Sequence, residues 1–163
     1  MYRYVVRSHE MADDQVTYVQ KACAYVTRGD ADGDRELLVF DGPGHDRLQV
    51  PKGTVEPDET PREAVVREVA EESGLVFLGG VRHLVTDVWT RRASRRYVRH
   101  FFHADVDEPR DRWTHVVTGE GEERGCEFDC FWVDLPTDRD FALSLDEYVH
   151  RLTSPDRRRI TNE

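Results

Sequence analysis

Nowhere does this sequence carry an apolar run approaching the ~20 residues that a membrane-spanning helix needs. Its opening stretch, MYRYVVRSHE, also lacks the apolar segment of a secretory signal. Both absences lead us to expect a cytoplasmic protein with no membrane partner. Cysteine is scarce, with Cys23, Cys126 and Cys130 the only three among 163 residues. An odd number, in which Cys126 and Cys130 do not form a C-x-x-C pair, predicts reduced thiols rather than a disulfide framework or a zinc site. Positive charge is in deficit, 23 Lys and Arg against 33 Asp and Glu for a net charge of −10. That balance opposes non-specific attachment to nucleic acid or anionic lipid, so no stable nucleic-acid complex is expected. Repeats, low-complexity tracts and Pro/Gly/Ser linkers are missing as well. One domain is therefore expected over residues 1–163, as monomer or homodimer, with flexible ends at about 1–14 and 154–163.

Alternating and β-branched runs are present. Lys21 to Thr27 and Glu36 to Phe40 read as strands joined by the turn-rich RGDADGDR, which predicts a hairpin. Val81 to Trp89, Tyr97 to Val106 and residues 128–135 read as further strands. Between them lies a well-signalled helix. Thr60 is an N-cap candidate, Pro61 takes the first helical position where its missing N–H costs nothing, and Glu63 completes a T-x-x-E capping box. Gly74 suits a left-handed C-terminal cap, so the spacing predicts a helix over about Pro61 to Ser73. Ser144 with Glu147 predicts a second, C-terminal helix to about Leu152. Strands mixed with two helices suggest an α/β/α sandwich around a mixed sheet.

At 100° per residue, Val65, Val66, Val69 and Ala70 share one arc of the first helix, and Glu68, Glu71 and Glu72 gather on the other side. Glu68 and Glu72 stand at i and i+4 with Glu71 beside them, where like charges repel. A solvated acidic face is one reading. The other is a site for a hard divalent cation such as Mg²⁺ or Mn²⁺, which prefers oxygen donors and engages phosphates.

The segment GTVEPDETPREAVVREVAEESGL, Gly53 to Leu75, resembles the box of the Nudix hydrolase family, G-x5-E-x7-R-E-U-x-E-E-x-G-U with U aliphatic. Gly53, Glu59, Arg67, Glu68, Val69, Glu71, Glu72, Gly74 and Leu75 fill every defined position. The resemblance implies a Nudix-type α/β/α sandwich and hydrolysis of a nucleoside diphosphate linked to another moiety. It also implies two to three Mg²⁺ or Mn²⁺ ions and a metal-activated water. By position, Glu68, Glu71, Glu72 and the Gly53 carbonyl would hold metal, while Arg67 and Glu59 would join loop to helix. Related enzymes carry a catalytic glutamate in a later loop, for which Glu120, Glu122, Glu123 and Glu127 are candidates here, with Glu123 chosen; each also reads as part of a hydrated acidic loop.

A local reversal of charge, WTRRASRRYVRHFF, holds Arg91, Arg92, Arg95, Arg96 and Arg99. Arginine forks bind phosphate oxygens in pairs, so this hairpin could grip the distal phosphates of a polyanionic substrate. Equally, its arginines could pair with the surplus carboxylates at a solvated turn. Lys52 is a further candidate phosphate contact, because V-P-K-G resembles the L-P-K-G of Nudix enzymes acting on dinucleoside polyphosphates and diphosphoinositol polyphosphates. The proline that marks ADP-ribose hydrolases is replaced by Arg91. A tyrosine expected near that distance in dinucleoside polyphosphate hydrolases is missing unless Tyr97 serves. The expected substrate is thus a small, nucleotide-like phosphorylated molecule, a dinucleoside polyphosphate or similar. Two alternatives stay open, a non-catalytic ligand sensor and a diphosphate isomerase with Cys23 as its cysteine.

Overall fold

The computed structural model describes residues 15–30, 33–41 and 47–153. The expected flexible ends, 1–14 and 154–163, lie outside the described residues. In chain order the elements are β1 (Thr17–Arg28), β2 (Glu36–Asp41), β3 (Lys52–Thr54), α1 (Pro61–Ser73), β4 (Gly79–Arg92), β5 (Arg95–Asp105), β6 (Arg112–Val116) and β7 (Glu127–Asp134). Two 3₁₀ turns follow, Ala142–Ser144 and Val149–Leu152.

Seven strands form one mixed sheet in the order β4-β5-β1-β2-β7-β6, with β3 also paired to β1. β1 is the hinge of this topology. It runs parallel to β5 from Thr17 to Thr27, while its other edge meets β3 at Lys21–Cys23 and β2 at Thr27 and Arg28. Side chains on a strand alternate between faces, so each central strand serves two cores. Ala22, Ala24 and Val26 of β1 join Leu38 and Phe40 of β2 against Ala64, Val65 and Val69 of α1. Cys23, Tyr25, Leu37 and Val39 instead meet Phe101, Phe141, Leu145, Val149 and Leu152 on the opposite face. The α/β layering expected from the sequence is therefore present, with α1 on one face and the 3₁₀ turns on the other.

Two local expectations need correction. The C-terminal segment is not an α-helix capped by Ser144, because Leu143 and Ser144 both adopt positive φ, 56° and 52°. The buried Tyr25 hydroxyl also donates to the Leu145 carbonyl, which an α-helical ladder would have used. Bonds of the i→i+3 kind form instead, Val149 N–H to Asp146 O at 3.1 Å and Arg151 N–H to Tyr148 O at 3.0 Å. β6 is the other difference: its alternation of buried Trp113 with exposed Arg112 and Thr114 was a strand signal too short to stand out beside the acidic loop that follows.

Candidate active site

α1 is terminated as its sequence predicts. The Thr60 side chain accepts from Glu63 N–H at 3.1 Å, the Glu63 carboxylate accepts from Thr60 N–H at 3.3 Å, and Gly74 closes the helix at φ 78°. Its orientation is less predictable. Ala64, Val65, Glu68, Val69 and Glu72 share the buried face, whereas Val66, expected on the apolar arc, is exposed. The helix therefore turns two of its three clustered glutamates inward with Val65 and Val69, leaving Glu68 at 9% and Glu72 at 2% exposure. Burial pushes both carboxyls above the ordinary glutamate range, Glu72 well above it. Neighbouring Glu123 and Glu68 add to the shift at Glu72, and Lys52 opposes it.

The loop before α1 is tied to these carboxylates. Lys52 N–H donates to Glu72 Oε1 at 3.0 Å. A Cβ at Gly53 would fall 1.9 Å from Glu68 Oε1, so any other residue there would displace that carboxylate. Arg67 supplies the remaining links, from Nε to Glu59 Oε2 at 3.0 Å, from Nη2 to the Thr54 carbonyl at 3.1 Å, and from Nη1 to Glu68 at 2.7 Å and Glu71 at 3.2 Å. Its hydrogen bond holds the Glu59 carboxyl below the usual range. The family resemblance implied that Arg67 and Glu59 join loop to helix, and the two are hydrogen-bonded.

Hard oxygen donors gathered around a glycine whose missing side chain leaves room for a carboxylate fit a divalent cation. Among the described residues no three His, Cys, Asp or Glu side chains already converge on one point. Arg67 occupies the space between Glu68 and Glu71, so a cation there would compete with its guanidinium for both.

Burial of Glu72 has a consequence for stability. Its folded-state pKa lies above the ~4.3 of an unfolded glutamate, so the folded protein binds that proton more tightly and ionisation works against folding. Glu72→Gln is expected to stabilise the chelated protein by about 1–2 kcal/mol at pH 8, where the folded chain must either ionise a buried carboxyl or hold a proton that the unfolded chain has released. The gain should shrink as pH falls through the elevated pKa towards that of the unfolded chain. Urea midpoints of both proteins at pH 8, 6 and 4.5 measure this; a gain that is absent at pH 8 or grows in acid contradicts it.

A cleft of ≈ 550 Å³ opens beside the helix. One wall is acidic, Glu68, Glu71 and Glu72 from α1 with Glu120, Glu122 and Glu123 from the β6–β7 loop. Basic groups line the same cleft, Lys21, Lys52, Arg95 and Arg124, as do Gly53 and Arg67. Glu59 sits behind Arg67, and Glu127 does not line the cleft. The arginine hairpin divides. Arg95 reaches the cleft, but Arg91, Arg92 and Arg96 do not. Arg91 stands over the Trp89 ring at 6.0 Å. Arg99, read from the sequence as a phosphate contact, is 3% exposed and already committed. It holds Asp87 with two hydrogen bonds of 2.8 and 2.6 Å and the Leu143 carbonyl with a third at 2.8 Å. Strand alternation separates Arg96 from Arg95, whereas Arg99 shares the face of Arg95 and is held by Asp87 and the Leu143 carbonyl instead.

Lys21 was missed in the sequence, where it reads as the start of a strand. Its ammonium donates to Thr54 Oγ1 at 2.8 Å, and burial, aided by Lys52, lowers its pKa. Cys23 lines an adjoining ≈ 90 Å³ cavity with Trp89 and Leu143, which shares Lys21, Lys52 and Tyr97 with the main cleft, and it does not line the cleft itself. Burial pushes its thiol up to about 12, so it offers the cleft no thiolate for isomerase chemistry.

The family model for the NUDIX domain matches residues 17–150, and the chain belongs to that family. Among curated relatives, an RNA pyrophosphohydrolase of Psychrobacter sp. (strain PRwf-1) is 35% identical over 109 residues, 56% of this chain and 61% of that relative. An RNA pyrophosphohydrolase of Legionella pneumophila (strain Corby) is 35% identical over 106 residues, 56% of this chain and 58% of the relative. The chain thus covers about three fifths of the length of these proteins. Two solved structures share the fold. The NUDIX domain of Shewanella oneidensis NrtR, complexed with ADP ribose, has a TM-score of 0.59 at 18% identity, covering 84% of this chain and 90% of that one. C. elegans Ap4A hydrolase has a TM-score of 0.54 at 21% identity, covering 83% and 91%.

Proposed function

We propose that this chain is a pyrophosphohydrolase that cleaves a phosphoanhydride bond in a nucleoside polyphosphate, or in a nucleoside diphosphate joined to a second group. The observation that carries this reading is one cleft lined both by the buried carboxylates of α1 and by Lys21, Lys52 and Arg95. A pyrophosphate resists hydrolysis because its anionic oxygens repel an incoming oxygen nucleophile. Two or three Mg²⁺ or Mn²⁺ ions held by Glu68, Glu71, Glu72 and the Gly53 carbonyl would neutralise phosphate and acidify a water. The rest falls to the chain itself. Lys21, Lys52 and Arg95 bind the distal phosphates, and Arg67 fixes the loop against the helix so that phosphate and water are held in line. Glu123, on the cleft wall and close enough to Glu72 to shift it, accepts the proton as the water oxygen bonds to phosphorus and the bridging P–O bond breaks. The relatives named RNA pyrophosphohydrolase and Ap4A hydrolase support a substrate with a polyphosphate chain. This reading places the protein in the cytoplasm as a monomer or homodimer. Among the described residues no helix is long and apolar enough to cross a membrane.

The test is phosphate or pyrophosphate release from nucleoside triphosphates, dinucleoside polyphosphates, 5′-triphosphorylated RNA, nucleotide sugars and inositol pyrophosphates. Hydrolysis is expected with Mg²⁺ or Mn²⁺ and abolished by chelator while the fold persists. For a substrate of three or more phosphates, Lys52→Ala combined with Arg95→Ala should raise KM about 10–30-fold, because each lost contact is worth ~1 kcal/mol. Arg91→Ala combined with Arg92→Ala should leave KM within about twofold. Turnover of none of these substrates, or the reverse ranking of the two double variants, counts against the proposal.

A further inference from the structure

An α-helix ends with carbonyls that its own ladder cannot satisfy. In α1 only one of them is met in the ordinary way, Ala70 O by Gly74 N–H at 3.0 Å. Others are met by the β6–β7 hairpin, from forty or more residues away in the chain. Trp113 Nε1 donates to the Ser73 carbonyl at 2.9 Å. The Glu71 carbonyl has two partners, Thr118 N–H at 3.1 Å and His115 Nε2 at 3.0 Å. Facing a carbonyl, that nitrogen must carry a proton, which both the Nε2–H tautomer and the imidazolium provide. Trp113 and His115 lie two apart on β6 and so share a face. Room for the imidazole depends on Gly74, where a Cβ would approach His115 Nδ1 to 2.9 Å.

The same point of attachment governs the cleft. Glu71 receives the hairpin on its backbone and presents its side chain to the cleft. Immediately after Thr118, Gly119 takes φ 89° and lies so close that a Cβ would fall 2.5 Å from the Glu71 carboxyl carbon. Beyond it the loop closes on itself through Arg124 N–H to Gly121 O at 3.1 Å, Cys126 N–H to Glu123 O at 2.9 Å and Gly125 N–H to Val117 O at 2.9 Å. Glu120, Glu122 and Glu123 therefore ride on a compact loop that, among the described residues, is hydrogen-bonded to α1 at its root. His115 itself does not line the cleft.

We propose that His115 is a positioning residue: its hydrogen bond to the Glu71 carbonyl sets the acidic β6–β7 loop in register with the carboxylates of α1, and turnover depends on that register. The proposal rests on the pyrophosphohydrolase reading, in which a loop carboxylate accepts the proton. Thr118 still holds the carbonyl when the imidazole is removed, so the fold survives while the loop gains freedom to shift. A displacement of about 1 Å at a proton acceptor is enough to cost one to two orders of magnitude in rate.

Three measurements test this. His115→Ala is expected to lower kcat about 10-fold with KM within twofold, and His115→Gln, whose amide reaches the same carbonyl, to recover to within about threefold of wild type. In a background of Glu120→Gln, Glu122→Gln and Glu123→Gln, His115→Ala should cost no more than about twofold, because a group acting through the loop carboxylates has nothing left to position. Amide exchange over residues 117–126 should accelerate about 10-fold in His115→Ala while residues 61–70 stay protected. A full 10-fold loss persisting in the triple background, or failure of Gln to rescue, overturns the proposal. So does unchanged exchange, and that arm needs no turnover: a wild-type protein that hydrolyses nothing refutes the hydrolase reading, while exchange still decides whether His115 holds the loop.

Discussion

Glu72→Gln, and separately Glu68→Gln, is expected to lower kcat by about 10³-fold under saturating Mg²⁺, with a much smaller change in KM. The substitution is nearly isosteric. At Glu72 the side-chain oxygen that accepts from Lys52 N–H can be kept by the amide, so the loop before α1 stays anchored. What disappears is one negative charge from a buried face that the hydrolase reading requires to hold divalent cations. Such a loss acts on transition-state stabilisation more than on ground-state binding, because phosphate contacts on the basic wall remain. Paired with the stability gain expected for Glu72→Gln without metal, the variant should be a better-folded and nearly inactive protein. Steady-state kinetics with a polyphosphate substrate decide the matter. Turnover near wild type in both variants would move the chemistry away from α1.

Arg67→Ala should damage fold and activity together. Its guanidinium serves Glu59, Glu68, Glu71 and the Thr54 carbonyl, and two of these carboxylates, Glu68 and Glu71, face each other across Nη1. Removing it leaves acceptors without a donor and like charges without a cation, for a loss of about 2–3 kcal/mol and a Tm lower by about 5–10 °C. A fall in kcat of about 10²-fold should accompany it, since Gly53 and the helix lose the strut that keeps them in register. Lysine retains the charge without the fork. Arg67→Lys is therefore expected to recover part of the Tm and little of the kcat. Calorimetry beside kinetics separates the outcomes: an unchanged Tm would show that loop and helix hold each other without Arg67, and full activity in the lysine variant would show that only its charge matters.

Adding Mg²⁺ should offset the repulsion between Glu68 and Glu71 in Arg67→Ala, so the Tm deficit is expected to be smaller with the ion than with chelator. Arginine and cation reach for the same two carboxylates, and the cation's advantage grows once the arginine is gone.

How far the sequence carried the description depends on the range of the forces concerned. The limits of α1 were legible because a capping box, a proline at the first position and a glycine at the C-cap each act within four residues of the helix end they mark. The clasp between Glu59 and Arg67 was legible only through the family pattern, since nothing in local periodicity says that a loop carboxylate folds back eight residues onto a helix. The inward turn of Glu68 and Glu72 was hidden, because a helical wheel sorts residues by angle and not by what lies opposite. The C-terminal helix failed for a related reason. Its capping pattern is present, but the buried hydroxyl of Tyr25, 120 residues earlier, takes the Leu145 carbonyl.

By itself, then, the sequence determined β1, β2, β4, β5 and β7 of the sheet, the length and caps of α1, the membership of the carboxylate cluster and the family to which they belong. All of these follow from spacing along the chain. Only the tertiary structure decided which cations face that cluster. Parallel pairing of β1 with β5 sets Lys21 opposite Arg99 in the ladder, and the same strand β5 sends Arg95 to the cleft and buries Arg99 against Asp87. His115 belongs to the same class, a residue with no motif around it whose partner is a backbone carbonyl 44 positions away. Charge and hydrogen-bonding capacity are written in the residue type, but the partner that satisfies them is chosen by sheet order and strand register, which no local stretch of sequence contains.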